Sequence, residues 1–227
     1  MSPTSDQLSP ITVKICGLSN ESMVESAIEA GADVVGLVLV EASPRYVKFD
    51  AAQRLIRLAA DLGAEPWVVA THAIPGLDRF VSDTPEIAAV QLHGKETPAL
   101  VAAFAARHPL TPIVKALGVA TRRDLEEIAD YAAADAFLLD AKAPAGAKRE
   151  GGFGKSFDWS ILKGLRTQDH EDWMLSGGLT PENVAEAIRI SGAFKVDVSS
   201  GVESSPGVKD PAKVKAFIDA AKAAGQA

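Results

Sequence analysis

The stretch richest in chemical possibility is Val13-Lys14-Ile15-Cys16-Gly17-Leu18, a short β-branched run that ends on the only cysteine and a glycine. Side chains alternate along a strand, so Lys14 and Cys16 share one face while Val13 and Ile15 take the other. The apolar pair can pack outward against helices, which leaves the polar pair pointing inward. A neighbouring ammonium favours thiolate over thiol, so Lys14 is expected to lower the Cys16 pKa and ready it as a base or nucleophile. Taken alone, the stretch is better read as a buried structural cysteine, because free cysteine is among the most buried residue types.

Asp140 closes the apolar run Ala136–Leu139, where partial desolvation would raise its carboxyl toward a useful general-acid value. A solvated aspartate at a loop entry is the plain alternative. Gly177-Gly178 and Ser200-Gly201 let backbone N–H groups approach an anion closely, although either could be no more than a tight turn. Gly152 and Gly154, in the segment Gly151-Gly152-Phe153-Gly154-Lys155, could complete such a cradle. Arg45 could hold a carboxylate bidentately, while composition alone favours a solvated surface arginine. His72 and His93 follow neighbouring strands, but no third ligand stands at metal spacing, so no metal is expected.

These residues must be positioned by elements that alternate in type. Apolar runs at Val34–Val40, Trp67–Thr71, Ala88–Leu92, Ile113–Leu117, Ala136–Asp140, Trp173–Ser176 and Phe194–Ser199 follow the first one as strands. Helical patterns separate them, with start signals at Ser19 or Asn20, Asp50 with Gln53, Thr97-Pro98, Thr121 with Asp124, Thr180-Pro181 and Asp210-Pro211. Eight strand–helix units in 227 residues, with no linker between them, predict a single closed α/β barrel, the (β/α)8 or TIM barrel, over residues 11–227. Residues 1–10 are polar and read as a disordered lead-in. A doubly wound sheet is the competing architecture, but no Gly-x-Gly-x-x-Gly fingerprint follows the first strand.

In such a barrel the active site lies at the C-terminal ends of the strands. Those ends carry Cys16, Thr71-His72, Gln91-Leu92-His93, Lys115, Asp140, Ser176-Gly177-Gly178 and Asp197-Val198-Ser199-Ser200-Gly201. Barrels often place a phosphate on the loops after strands seven and eight, which is where both glycine turns fall. Strand six is three places from strand one around the barrel, so Asp140 and Cys16 can face one another as acid and base across a sugar phosphate. A formal net charge of −7 argues against nucleic acid as a partner. The lead-in has no signal-peptide core and no apolar run is long enough to span a membrane, so a cytoplasmic location is expected.

The motifs Lys14-Ile15-Cys16-Gly17, Ser43-Pro44-Arg45-Tyr46, Gln91-Leu92-His93-Gly94, Leu138-Leu139-Asp140, Gly154-Lys155-Ser156-Phe157-Asp158-Trp159, Leu175-Ser176-Gly177-Gly178-Leu179 and Val196-Asp197-Val198-Ser199-Ser200-Gly201-Val202-Glu203 occur in this order along nearly the whole chain. As a set they resemble the phosphoribosylanthranilate isomerase family of tryptophan biosynthesis. The resemblance implies an Amadori rearrangement of a small phosphosugar–anthranilate substrate without metal or organic cofactor. By motif, Asp140 would be the general acid and Cys16 the general base. Arg45 would bind the anthranilate carboxylate, the glycine turns would hold the phosphate, and His93 and Asp197 would stand among the substrate contacts. Val69-Ala70-Thr71-His72-Ala73 after strand three, and Phe153 between the loop glycines, depart from the family pattern. A two-aspartate sugar-phosphate isomerase is disfavoured by Cys16, and a non-catalytic sugar-phosphate-binding barrel would need neither acid nor base.

Overall fold

In a computed structural model, residues 10–142, 156–165 and 173–225 are described. Eight parallel strands close into one barrel in sequence order: β1 (Thr12–Cys16), β2 (Val34–Val38), β3 (Glu65–Ala70), β4 (Ala89–Leu92), β5 (Ile113–Val119), β6 (Ala136–Ala141), β7 (Trp173–Leu175) and β8 (Lys195–Val198). Closure is made by β1 against β8, a register that places Lys14 opposite Asp197. The helices α1 (Glu21–Glu29), α2 (Phe49–Asp61), α3 (Leu77–Ser82), α4 (Pro98–Arg107), α5 (Val184–Ser191) and α6 (Pro211–Ala224) lie among the strand connections. None of the helices among the described residues is long and apolar enough to cross a membrane.

Local chemistry explains three of the six α-helix starts among the described residues. Asn20, Thr97 and Asp210 each accept a backbone N–H of the first turn. Two anticipated starts differ. Asp50 lies inside α2, which begins after Lys48 with no side-chain cap. Thr180-Pro181 lies in a turn, and α5 begins after Asn183, whose side chain accepts from the Thr180 N–H and donates to the Gly178 carbonyl. The connections after β5 and β6 carry 3-10 helix, at Arg122–Asp130 and Trp159–Leu162, where α-helix is the sequence expectation. In the first of these only Leu125 and Ile128 are buried, three residues apart, and that spacing suits three residues per turn.

Alternation along the strands sorts the core into layers. Val34, Trp67, Ala89, Val114, Ala116, Leu138 and Met174 fill the barrel interior. A larger cluster that includes Val13, Ile15, Leu37, Phe137 and Phe217 lies between the wall and the helices. Val13 and Ile15 therefore face outward and Lys14 and Cys16 inward, as their spacing predicts. Lys115 departs from expectation. Its neighbours Val114 and Ala116 take the interior, so it points to the helical layer, with its ammonium 5.8 Å from the centre of the Tyr131 ring. After β8, a short 3-10 turn (Ser200–Val202) leads into an antiparallel hairpin, β9 (Glu203–Ser205) and β10 (Val208–Lys209), which the sequence pattern does not announce.

Candidate active site

The C-terminal ends of the strands enclose a cavity of about 350 Å³. Cys16, Arg45, His93, Asp140, Gly177, Gly178, Asp197, Ser200 and Gly201 all line it, so the barrel brings together every predicted site residue that falls among the described ones. Gly152 and Gly154 lie outside the described residues. Lys115 does not line the cavity, for the reason of strand parity given above. Among the described residues no three His, Cys, Asp or Glu side chains are grouped to hold a metal ion. His72 instead stands 3.6 Å from Glu96, and His93 stands 3.5 Å from Asp140.

Cys16 ends β1 at the barrel rim, packed with Val38 and Val69 and only 6% exposed. The space for its sulfur is made by Gly36 on β2, because a Cβ at that position would stand 2.9 Å from Sγ. Burial pushes the Cys16 thiol above its ordinary value, Lys14 opposes the rise and the Asp197 carboxylate adds to it. This overturns the expectation of a thiol lowered by Lys14. Lys14 does pull the thiol down, and more strongly than Asp197 pushes it up, but the loss of solvent around the buried sulfur outweighs the ammonium. Lys14 itself is fully buried, which would lower its pKa, yet the neighbouring Asp197 and Cys16 hold it above the ordinary lysine value.

Asp197 has both oxygens engaged, Oδ1 by Lys14 and Oδ2 by the Ser176 hydroxyl at 2.9 Å. Lys14 also donates to Gln91 Oε1 at 2.8 Å, and the Gln91 amide nitrogen lies 2.8 Å from His93 Nδ1. Asp140, at the end of β6, is 7% exposed and accepts the Ala141 N–H on Oδ1 at 2.8 Å. A continuous set of polar contacts thus crosses the barrel from Ser176 and Asp197 to Asp140.

Arg45 is 8% exposed, so the solvated surface role that composition favours is not the one observed. Its Nε and Nη2 donate to the two oxygens of Glu203 at 2.6 and 2.8 Å. Lys209 donates to the same carboxylate at 2.9 Å and to the Ser199 carbonyl at 2.9 Å, while the Ser199 hydroxyl donates to the Cys16 carbonyl. Burial would raise the Glu203 carboxyl, but Arg45 and Lys209 together hold it below the usual glutamate value. Burial pulls the Lys209 ammonium down, against the pull of Glu203. Glu203 and Lys209 have no local sequence signal for this duty; the one available hint is Glu203 at the end of the motif after strand eight.

The anion end of the cavity is made by two loops. Gly177 and Gly178 follow β7 with φ of 88° and 65°, a left-handed pair that L side chains rarely adopt. Ser200 and Gly201 follow β8 and line the same cavity.

The comparisons agree with this geometry. The family model described as N-(5'-phosphoribosyl)anthranilate isomerase matches residues 13–220. The N-(5'-phosphoribosyl)anthranilate isomerase of Rhodopseudomonas palustris (strain BisA53) is 49% identical over 215 residues, covering 94% of this chain and 97% of that one. The crystal structure of phosphoribosyl anthranilate isomerase from Thermotoga maritima superposes with a TM-score of 0.80 at 38% identity, covering 94% of this chain and 99% of that one. A phosphoribosyl anthranilate isomerase in complex with reduced 1-(o-carboxyphenylamino)-1-deoxyribulose 5-phosphate has a TM-score of 0.78 at 36% identity, with 94% and 99% coverage. Matched from its first strand to its last helix, and sharing the fold of the solved enzymes over almost its whole length, the chain belongs to the N-(5'-phosphoribosyl)anthranilate isomerase family.

Proposed function

We propose that this chain isomerises N-(5'-phosphoribosyl)anthranilate to 1-(2-carboxyphenylamino)-1-deoxyribulose 5-phosphate in tryptophan biosynthesis, with Asp140 as general acid and Cys16 as general base. Asp140 gives its proton to the furanose ring oxygen as the C1'–O bond breaks, and the anthranilate nitrogen lone pair forms the imine. The Cys16 thiolate then removes the C2' proton to give the enolamine, which tautomerises to the ketone product. No electrons leave the substrate, so the step needs no redox partner. The phosphate would sit on the N–H groups of the turns after β7 and β8. Arg45, with two of its five N–H donors held by Glu203, would offer its remaining edge to the anthranilate carboxylate.

The observation that carries this reading is one cavity lined by the single thiol, an inward carboxyl, a buried arginine and two glycine turns. A resting thiol pushed upward implies that the thiolate is a minor form at neutral pH, so turnover should rise as pH increases. The test is loss of anthranilate-type fluorescence from freshly made substrate in chelator-treated buffer. Asp140→Asn and Cys16→Ser should each lower kcat by about 10²–10⁴-fold while changing KM less. Turnover at the wild-type rate in either variant would remove that residue's assignment.

A further inference from the structure

His93 lines the cavity beside the proposed acid, and on its own a histidine there is a hazard. An unperturbed imidazole holds a proton more tightly than an unperturbed carboxylate does. At 3.5 Å it could take the acid's proton and leave an imidazolium–carboxylate pair unable to protonate a ring oxygen. The contacts behind His93 remove that hazard.

The chain of contacts starts at Lys14, whose ammonium carries donors and no acceptor. It stands 2.8 Å from Asp197 Oδ1 and 2.8 Å from the Gln91 side chain. Only the amide oxygen of Gln91 can accept from it, so the amide nitrogen is turned to the other side. There it meets His93 Nδ1 at 2.8 Å. An amide N–H can only donate, so Nδ1 must offer its lone pair, and the ring proton belongs on Nε2. Nε2 is the nitrogen that faces Asp140 Oδ2. A second ring proton would set two donors against each other at Nδ1.

We propose that Lys14 and Gln91 lock His93 as a neutral imidazole protonated on Nε2, and that His93 acts as a positioning residue that orients Asp140 without competing for its proton. The Ala141 N–H donates to Oδ1 and His93 Nε2 stands 3.5 Å from Oδ2, so each carboxyl oxygen has a nitrogen beside it that can fix its orientation. Among the described residues, the charged groups whose contacts reach the ring are Asp140 on β6, directly, and Lys14 on β1, through Gln91, while Lys95 lines the same cavity. The inference rests on Asp140 being the general acid, which the Asp140→Asn variant tests separately.

The experiment is long-range proton–nitrogen NMR of the whole protein labelled on histidine nitrogen at pH 7, with His93 assigned by its absence in His93→Gln. The expected wild-type signature is a protonated Nε2 and a bare Nδ1. In Gln91→Glu the residue facing the ring can only accept, so Nδ1 should gain a proton. That variant should lose about tenfold or more in kcat, with KM within about threefold. His93→Ala should behave likewise, and His93→Gln, which keeps an N–H near the Nε2 position, should recover most of the loss. A protonated Nδ1 in the wild type overturns the proposal even if the variants fail to fold, and so does a folded Gln91→Glu with unchanged spectrum and kcat. If Asp140→Asn is inactive while His93→Ala keeps wild-type kcat, the positioning role fails and the acid assignment stands. If Asp140→Asn turns over normally, the acid assignment itself has failed.

Discussion

Two buried ion pairs, Lys14–Asp197 and Lys115–Glu96, use the same chemistry on the two faces of the barrel wall. Each ammonium is within 2.8 Å of its carboxylate and each lysine is at most 2% exposed. They differ in where the remaining bonds go. Lys115 also donates to the carbonyls of Leu92 and Gly94, and Glu96 accepts from the backbone N–H groups of His72 and Gly94, so that pair closes on main chain. Lys14 and Asp197 instead spend theirs on Gln91 and Ser176, side chains that reach the cavity. A buried charge pair that ends on backbone fixes a loop. One that ends on amide and hydroxyl side chains at the cavity orients the groups that line it.

Removing one partner from either pair should cost about 3–5 kcal/mol of stability, since an uncompensated charge is left in the interior. Urea unfolding of Asp197→Asn and Glu96→Gln measures this. The two should separate in activity, with Asp197→Asn losing about 100-fold in kcat/KM and folded Glu96→Gln staying within about threefold. Equal losses would erase the distinction.

A sharper contrast comes from the sulfur. Because Cys16 is the sole cysteine, its alkylation by a small iodoacetamide reagent reports the thiolate directly. In the wild type the rate should climb only above pH 9.0, the ordinary thiol value, because burial and Asp197 both disfavour the anion. Asp197→Asn deletes the second of these influences and should move the profile to lower pH, whereas Glu96→Gln should leave it in place.

Glu203→Gln tests the third buried cluster. It weakens the hold on Arg45, and KM should rise about tenfold, or 1.4 kcal/mol, with kcat little changed. Glu96 shares with Glu203 a carboxyl held below 4.5, since Lys115 outweighs the rise from burial. Stability from both is therefore complete above about pH 4.5 and lost as pH falls through their lower folded values. The smallest effect belongs to Thr121→Ala, which removes half of a capping box remote from both pairs and should cost about 1 kcal/mol with no change in activity.

Strand parity makes much of this arrangement readable in the sequence. Lys14 and Cys16 alternate with Val13 and Ile15, so which pair faces inward follows from period two. The same rule is silent for Lys115, because Ile113-Val114-Lys115-Ala116-Leu117 is apolar on both faces and nothing in it marks the interior side. The direction of the thiol shift was also hidden. Lys14 stands two residues away and lowers the thiol, but burial on closing the barrel outweighs it, and the Asp197 carboxylate that engages Lys14 is 183 residues away. Glu203 is similarly remote from Arg45, at 158 residues, so closure of the barrel creates a contact that no local pattern encodes. Arg122–Asp130 is as amphipathic as α2, and amphipathicity alone does not separate a 3-10 helix from an α-helix.

The segment that leaves β8 has a consequence for substrate choice. Ser200 and Gly201 face the proposed phosphate end, and Glu203, two residues later, grips Arg45 at the proposed carboxylate end. One short turn and its hairpin therefore act as a gauge, with both jaws on a single piece of backbone pinned by Lys209 to Ser199 and Glu203. On the proposed roles, lengthening that backbone between Gly201 and Glu203 would spread the jaws without touching the acid or the base, and the enzyme would misjudge the length of its substrate while its chemistry stayed intact.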